Sequence, residues 1–238
     1  MSHFVNHLHT HLRWCLRQVK GASIDAASSQ KTRVMGEHKT YPRMEKIALP
    51  PGYTTDALLI PTIQKRQSAQ PAKKLGVISL EQMSTLLGAA LGCRKGGQYR
   101  NYPSGGARYP IETYVITSLD AACGNEVFHY CPTDHVLERL WSADLTNVCS
   151  LTNVENGENY SALVVFTSIW NASSAKYGNF SYNLALLEAG HMAQNILLVA
   201  TAIGLHTRPV CGFNDAPLEQ LLNIEPDTEQ VVYAVLLG

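Results

Sequence analysis

A surplus of charge is what this chain most plainly lacks. Nineteen Lys and Arg balance nineteen Asp and Glu, and only 16% of its 238 residues are charged. With no net field, attraction to nucleic acid or to an anionic membrane is not expected, although a local phosphate site stays open. The six cysteines form neither a Cys-x-x-Cys pair nor the spacing of a zinc site. A disulfide framework and a bound metal are therefore not expected, and reduced thiols in a cytoplasm are. The N-terminal stretch carries histidines, Arg13 and Arg17 where a secretory signal has an apolar core. Also missing are the Gly-x-Gly-x-x-Gly fingerprint, the phosphate loop and the Gly-x-Ser-x-Gly elbow. Their absence removes the usual signs of dinucleotide binding, nucleotide hydrolysis and serine-hydrolase chemistry.

What is present is globular, with 45% of residues hydrophobic. Residues 1–45 read as an N-terminal arm and 46–238 as one domain. His3, His7 and His11 would share one face of a helix, a solvated face rather than a metal site since no carboxylate or cysteine accompanies them. Residues 21–36 read as a flexible connection, and 38–51, with Pro42, Pro50 and Pro51, as extended chain. Ser79 and Gln82 form a capping-box pattern ahead of an apolar stripe from Leu80 to Leu91, which predicts a helix. Strands are predicted at 112–118, 126–130, 135–141, 161–168 and 230–237, and a short helix at 216–222. Residues 171–174 and 208–214 read as loops. Strands and helices do not alternate regularly, so the fold class is α+β.

Residues 184–205 are apolar or small almost all round, as in a buried helix that ends at Gly204. Glu188, His191, Gln194 and Asn195 interrupt the run at helical steps and need partners. The run is long enough to cross a bilayer, but those polar groups argue against it. Lys176-Tyr177 precedes the helix, and Tyr102–Pro110 (YPSGGARYP) is a glycine turn whose backbone a ligand could approach closely.

Four blocks together resemble the nitroreductase-like flavoproteins, and among them the SagB-type dehydrogenases or azoline oxidases. They are Lys65-Arg66-Gln67-Ser68, PSGGARYPIE (Pro103–Glu112), Lys176-Tyr177-Gly178, and the helix carrying EAGHMAQN. The resemblance covers about Tyr41 to Gly238. It implies a central, antiparallel-rich sheet flanked by helices, in a homodimer with FMN at the subunit interface. Arg66 and Ser68 would meet the FMN phosphate and ribityl chain, with Gln70 where a basic residue is usual. Pro103, Ser104, Gly105, Gly106, Glu188, Gly190 and Gly212 would line or approach the flavin. Lys176 and Tyr177 match the lysine–tyrosine pair implicated in azoline oxidation.

The implied reaction converts thiazoline or oxazoline rings of a peptide to azoles, in company with a cyclodehydratase. A lysine stripped of water is a competent base for the carbon-bound proton, with a tyrosine hydroxyl to relay it. Phe180 and Asn183 stand where the group commonly has arginines. The chain stops at Gly238, where relatives continue into a basic tail, so Arg208 or a partner subunit would have to compensate. The alternatives are an NAD(P)H-dependent nitro- or quinone-reductase and a non-catalytic flavoprotein scaffold in a synthetase complex.

Overall fold

The computed structural model describes residues 38–52, 55–94, 99–119, 124–143 and 151–238. The histidine helix and the 21–36 connection lie outside the described residues. A seven-stranded sheet organises the rest: β1 (Glu45–Ala48), β2 (Ile111–Thr117), β3 (Glu126–Cys131), β4 (Val136–Ser142), β5 (Ala162–Ile169), β6 (Thr207–Val210) and β7 (Glu229–Leu237). Their spatial order is β1-β4-β3-β2-β5-β7-β6, every neighbouring pair antiparallel. The strands rich in Val, Ile, Phe and Tyr lie at the centre, where both faces are covered, so β2 is buried along its whole length.

Five α-helices are described: α1 (Leu59–Lys65), α2 (Leu80–Leu91), α3 (Asn171–Tyr177), α4 (Ser181–Ala202) and α5 (Asp215–Leu222). The α2 start follows the expected chemistry, with Ser79 and Gln82 bonding reciprocally in a capping box. On one face of the sheet α2 and α4 enclose a core built from Leu86, Leu87, Phe128, Phe166, Met192 and Ile196. The opposite face carries a second core around Tyr114, Leu163, Val165 and Leu218, the last from α5. Residues 38–44, ahead of the expected boundary at 45, lie on that second face, where Tyr41 packs against it.

Two segments differ from the sequence reading. Residues 171–174 are not a loop: Ala172 and Ser173 are buried and begin α3, so Lys176 and Tyr177 sit in its last turn. The Asn-Ala-Ser-Ser run reads as turn residues, and burial overrides that weak local preference. Residues 207–210 form β6 in place of a loop, pairing Pro209 with Val235 at the sheet edge. Proline is tolerated there because an edge strand leaves one row of its N–H groups unpaired.

Candidate active site

The 99–110 segment is clamped before it turns. Gly88 O accepts the Gly92 N–H, and the carbonyls after it at the end of α2 need partners from outside the helix. The Asn101 amide donates to Gly88 O and Ala89 O, each at 3.1 Å. From α4, Asn195 donates to Ala90 O at 3.1 Å and to Asn101 O at 3.2 Å. Asn195 is thus the packing and hydrogen-bonding group its position in the polar stripe implied, whereas His191 and Gln194 are exposed.

Beyond this clamp lies the glycine turn. Ser104 Oγ accepts the Tyr109 N–H at 2.8 Å and donates to Glu188 Oε2 at 2.5 Å. Glu188 is 2% exposed, so the bond fixes the turn to a carboxylate inside the protein. Ala107 and Tyr109 both have positive φ, at 53° and 47°. Such conformations cost about 1–3 kcal/mol each and persist only where surrounding contacts impose them. Gly106, at φ 63°, faces the side chains expected to carry the chemistry. A Cβ there would lie 2.5 Å from Tyr177 Oη and 2.9 Å from Lys176 Nζ. A Cβ on Gly105 would lie 3.0 Å from Leu184 of α4. Lys176 Nζ stands 5.2 Å from the centre of the Tyr177 ring. The fold therefore joins Ser104, Gly105, Gly106, Lys176, Tyr177 and Glu188 in one place. Pro103 is exposed at the start of the turn, and Gly190 is exposed with open space beside it.

Arg66, Ser68 and Gln70 belong to a second locus. Arg66 closes α1 through its N–H to Thr62 O. Ser68 bridges in parallel to Thr207, and Ala69 N–H donates to Thr207 O at 2.8 Å. Beside Ser68 and Gln70 lies a cavity of about 510 Å3, lined in part by Gln67, Ser68, Gln70, Lys73 and His206. Arg208, the expected compensating cation, bonds to the Tyr160 phenol, whose pKa burial pushes up while Arg208 pulls it down. The basic side chains that line the cavity are Lys73 and His206. Gly212 lies in another loop, beside Asn153.

Lys73 belongs to a basic segment with Lys65, Arg66 and Lys74, whereas nothing in the sequence marks His206, Asn101 or Arg100 as site residues, because each stands alone without a motif. Arg100 is 5% exposed, donates Nη1–H to Tyr102 Oη at 2.7 Å, and lies 4.6 Å from the Tyr109 ring centre. Burial raises the Tyr102 pKa far above the usual phenol value. Arg100 opposes that rise, and Glu188 adds to it.

Among known proteins, the model of the nitroreductase family matches residues 63–238. The microcin B17-processing protein McbC of Escherichia coli is 32% identical over 163 residues, 65% of this chain. The match spans only 59% of McbC's length. A putative nitroreductase from Ralstonia eutropha superposes with a TM-score of 0.70 at 26% identity, covering 81% of this chain and 88% of that one. The E. coli microcin synthetase McbBCD complex with truncated pro-MccB17 bound contains a chain of the same fold. Its TM-score is 0.62 at 24% identity, over 99% of this chain and 91% of that one. Glycine turn, lysine–tyrosine pair and buried helix glutamate all lie within the matched span: the chain belongs to the nitroreductase family.

Proposed function

We propose that this protein is an FMN-dependent dehydrogenase that oxidises azoline rings to azoles during maturation of a peptide natural product. The observation that carries the proposal is the meeting of Lys176 and Tyr177 with Gly106 in a turn anchored to buried Glu188. The likeness to McbC, a microcin-processing protein, supports a peptide substrate.

The residues present fit FMN. The cavity of about 510 Å3 falls within the usual size of cofactor sites, and its lining has two basic side chains and no acidic one. Lys73, His206 and Ser68 would hold the phosphate end, with Arg66 in support. The Ser104–Gly106 turn leaves a planar ring close access to the backbone, beside Glu188. Bound FMN supplies the two-electron acceptor for the hydride leaving the azoline carbon. Lys176 takes the carbon-bound proton, Tyr177 orients or relays it, and Leu184 helps keep water from the turn.

A homodimer completes the site in this proposal. Leu58, Leu59, Ile60 and Ile63 of the α1 region are 71%, 65%, 63% and 48% exposed. With exposed Leu186 and Leu187 on α4 they offer an apolar surface for a second copy. A cyclodehydratase would deliver the azoline peptide, and a cytoplasmic setting suits the free Cys93, Cys131 and Cys211.

The likeness to a putative nitroreductase favours one alternative, a nitro- or quinone-reductase fed by NAD(P)H. Mixing the purified flavoprotein with NADPH, and separately with an azoline peptide under dioxygen, tests the proposal. Azole formation without rapid NADPH bleaching is expected. Fast bleaching with no azole would replace the dehydrogenase by the reductase.

A further inference from the structure

The glutamate that closes PSGGARYPIE has no part in the chemistry above. Glu112 is 2% exposed, and its Oε2 lies 3.1 Å from Nε2 of His129. His129 Nδ1 lies 2.9 Å from Oε2 of Glu138, and neither residue has any exposed surface. An imidazole donates through both nitrogens only when it carries a charge, and a neutral ring would turn one lone pair toward a carboxylate. Burial by itself lowers the His129 pKa, but the bonds to Glu112 and Glu138 outweigh it and raise the pKa.

The other oxygens of these glutamates hold the 38–44 strap. Lys39 N–H donates to Glu112 Oε1 at 2.8 Å, and Tyr41 N–H to Glu138 Oε1 at 3.0 Å. The Lys39 ammonium bonds to Glu229 Oε2 at 2.7 Å and to Tyr114 Oη at 2.8 Å. The Tyr114 hydroxyl and Thr167 Oγ1 both donate to Glu229 Oε1. The rings of Tyr41 and Tyr114 lie 5.2 and 5.3 Å from His129, and Lys46 acts on Glu138 from the outer side.

On the other side of Glu112 stands Arg100. The two line a cavity of about 10 Å3, room for one water, and Arg100 Nη2 has no hydrogen-bond partner among the described residues. Arg100, Lys39 and His129 thus face Glu112, Glu138 and Glu229. The six charges cancel only when His129 is protonated.

We infer that His129 is a standing imidazolium at neutral pH, and that with Glu112 it positions two distant segments, the 38–44 strap and Arg100 behind the glycine turn. Arg100 passes the constraint on through Tyr102 and Tyr109, whose N–H bonds Ser104. Glu112 and His129 are therefore positioning residues, and this role does not depend on which ligand the turn receives. Loss of the His129 proton leaves Glu112 and Glu138 facing one another without a cation between them, which frees the strap and loosens Arg100.

The test uses the full chain. Nitrogen-15 NMR of the His129 ring should show both nitrogens protonated at pH 7, and a neutral tautomer there would overturn the inference. Hydrogen exchange followed by mass spectrometry should show segments 38–44 and 100–109 exchanging about tenfold faster or more in Glu112→Gln than in wild type, as loss of a charged hydrogen bond implies. Segments from β5 and β7 should be unchanged. Acceleration of the strap alone would remove the link to Arg100. Equal acceleration everywhere would reduce Glu112 to an ordinary core residue. Should Glu112→Gln fail to fold, the same segments of the wild type, corrected for intrinsic exchange rates, should accelerate only as His129 loses its proton; no such rise would overturn the inference.

Discussion

Ser104 Oγ and the Glu188 carboxylate meet at 2.5 Å across 84 positions of sequence. One belongs to a glycine turn, the other to the middle of the longest helix. Their bond sets where Gly106 stands relative to Lys176 and Tyr177, because α3 leads into the same helix. Only two of the three elements at the site need to be fixed for the third to follow.

Ser104→Ala removes the Tyr109 N–H acceptor and the donor to buried Glu188 together. Leaving buried polar groups unsatisfied costs about 1–3 kcal/mol each, so a loss of that order in urea-unfolding free energy is expected. Ser104→Thr keeps the hydroxyl and should recover most of it. A Ser104→Ala protein as stable as wild type would show the bond to be incidental.

Lys176→Ala should preserve the visible flavin spectrum and lower azoline oxidation by about 10²–10⁴-fold, the usual contribution of a positioned base. Single-turnover reduction of the bound flavin by substrate is the measurement. Unchanged turnover would remove Lys176 from the chemistry.

Gly106→Ala probes the same place from the opposite side. The added Cβ would lie 2.5 Å from Tyr177 Oη, at a φ of 63° that alanine adopts poorly. A stability loss above about 1 kcal/mol is expected from the backbone alone. Turnover should fall further than stability does, because Tyr177 has to move. Equal turnover in the folded variant would mean that Tyr177 does not act from its observed position.

Much of this fold is legible in the chain. The capping box at Ser79, the β-branched and aromatic runs of β2 to β5 and the unbroken apolar stretch of α4 each follow a local rule. What escaped has a common cause: it is decided by tertiary burial. The Asn-Ala-Ser-Ser run becomes helical because Ala172 and Ser173 are covered. The Thr-Arg-Pro-Val run becomes a strand because the sheet edge accepts proline. At the site, motif residues were recognisable and Lys73 fell within a basic segment, whereas Arg100 and His206 carry no pattern and are brought to their places by the fold.

The cavity beside Ser68 makes a prediction that separates phosphate from ring. Lys73→Ala and His206→Ala should each weaken FMN binding by tenfold or more, the order expected for about 1.5–3 kcal/mol per charged hydrogen bond. Riboflavin, which lacks the phosphate, should bind these variants and the wild type alike. Arg66 is not among the residues lining the cavity, so Arg66→Ala should have the smaller effect on FMN retention. Flavin fluorescence quenching reads all of these. Equal losses for FMN and riboflavin would move the phosphate elsewhere.

Ile60→Glu combined with Ile63→Glu places two charges in the exposed apolar surface of α1. The proposed dimer should dissociate at micromolar concentration, as read by sedimentation equilibrium, and flavin should be lost with it. A variant that stays dimeric would locate the subunit interface on another face.

The pH dependence of stability follows from His129 and Glu138. The folded His129 pKa is raised, burial opposing the rise and the two carboxylates overcoming it. Its contribution is therefore complete below the unfolded histidine value of about 6.5 and is lost as pH climbs through the folded value. Glu138 is lowered: burial works to raise it, and the bond from His129 and the Tyr41 N–H prevail. Its contribution is present above the unfolded carboxylate value of about 4.3 and is lost as pH falls through the folded one. The pair is thus most stabilising between about pH 4.3 and 6.5. Urea midpoints should decline from pH 6.5 toward pH 9 in wild type. His129→Gln should start lower and lack that alkaline decline, since it has no proton to lose. An alkaline slope that survives the substitution would assign the titration to another group and leave His129 neutral in the fold.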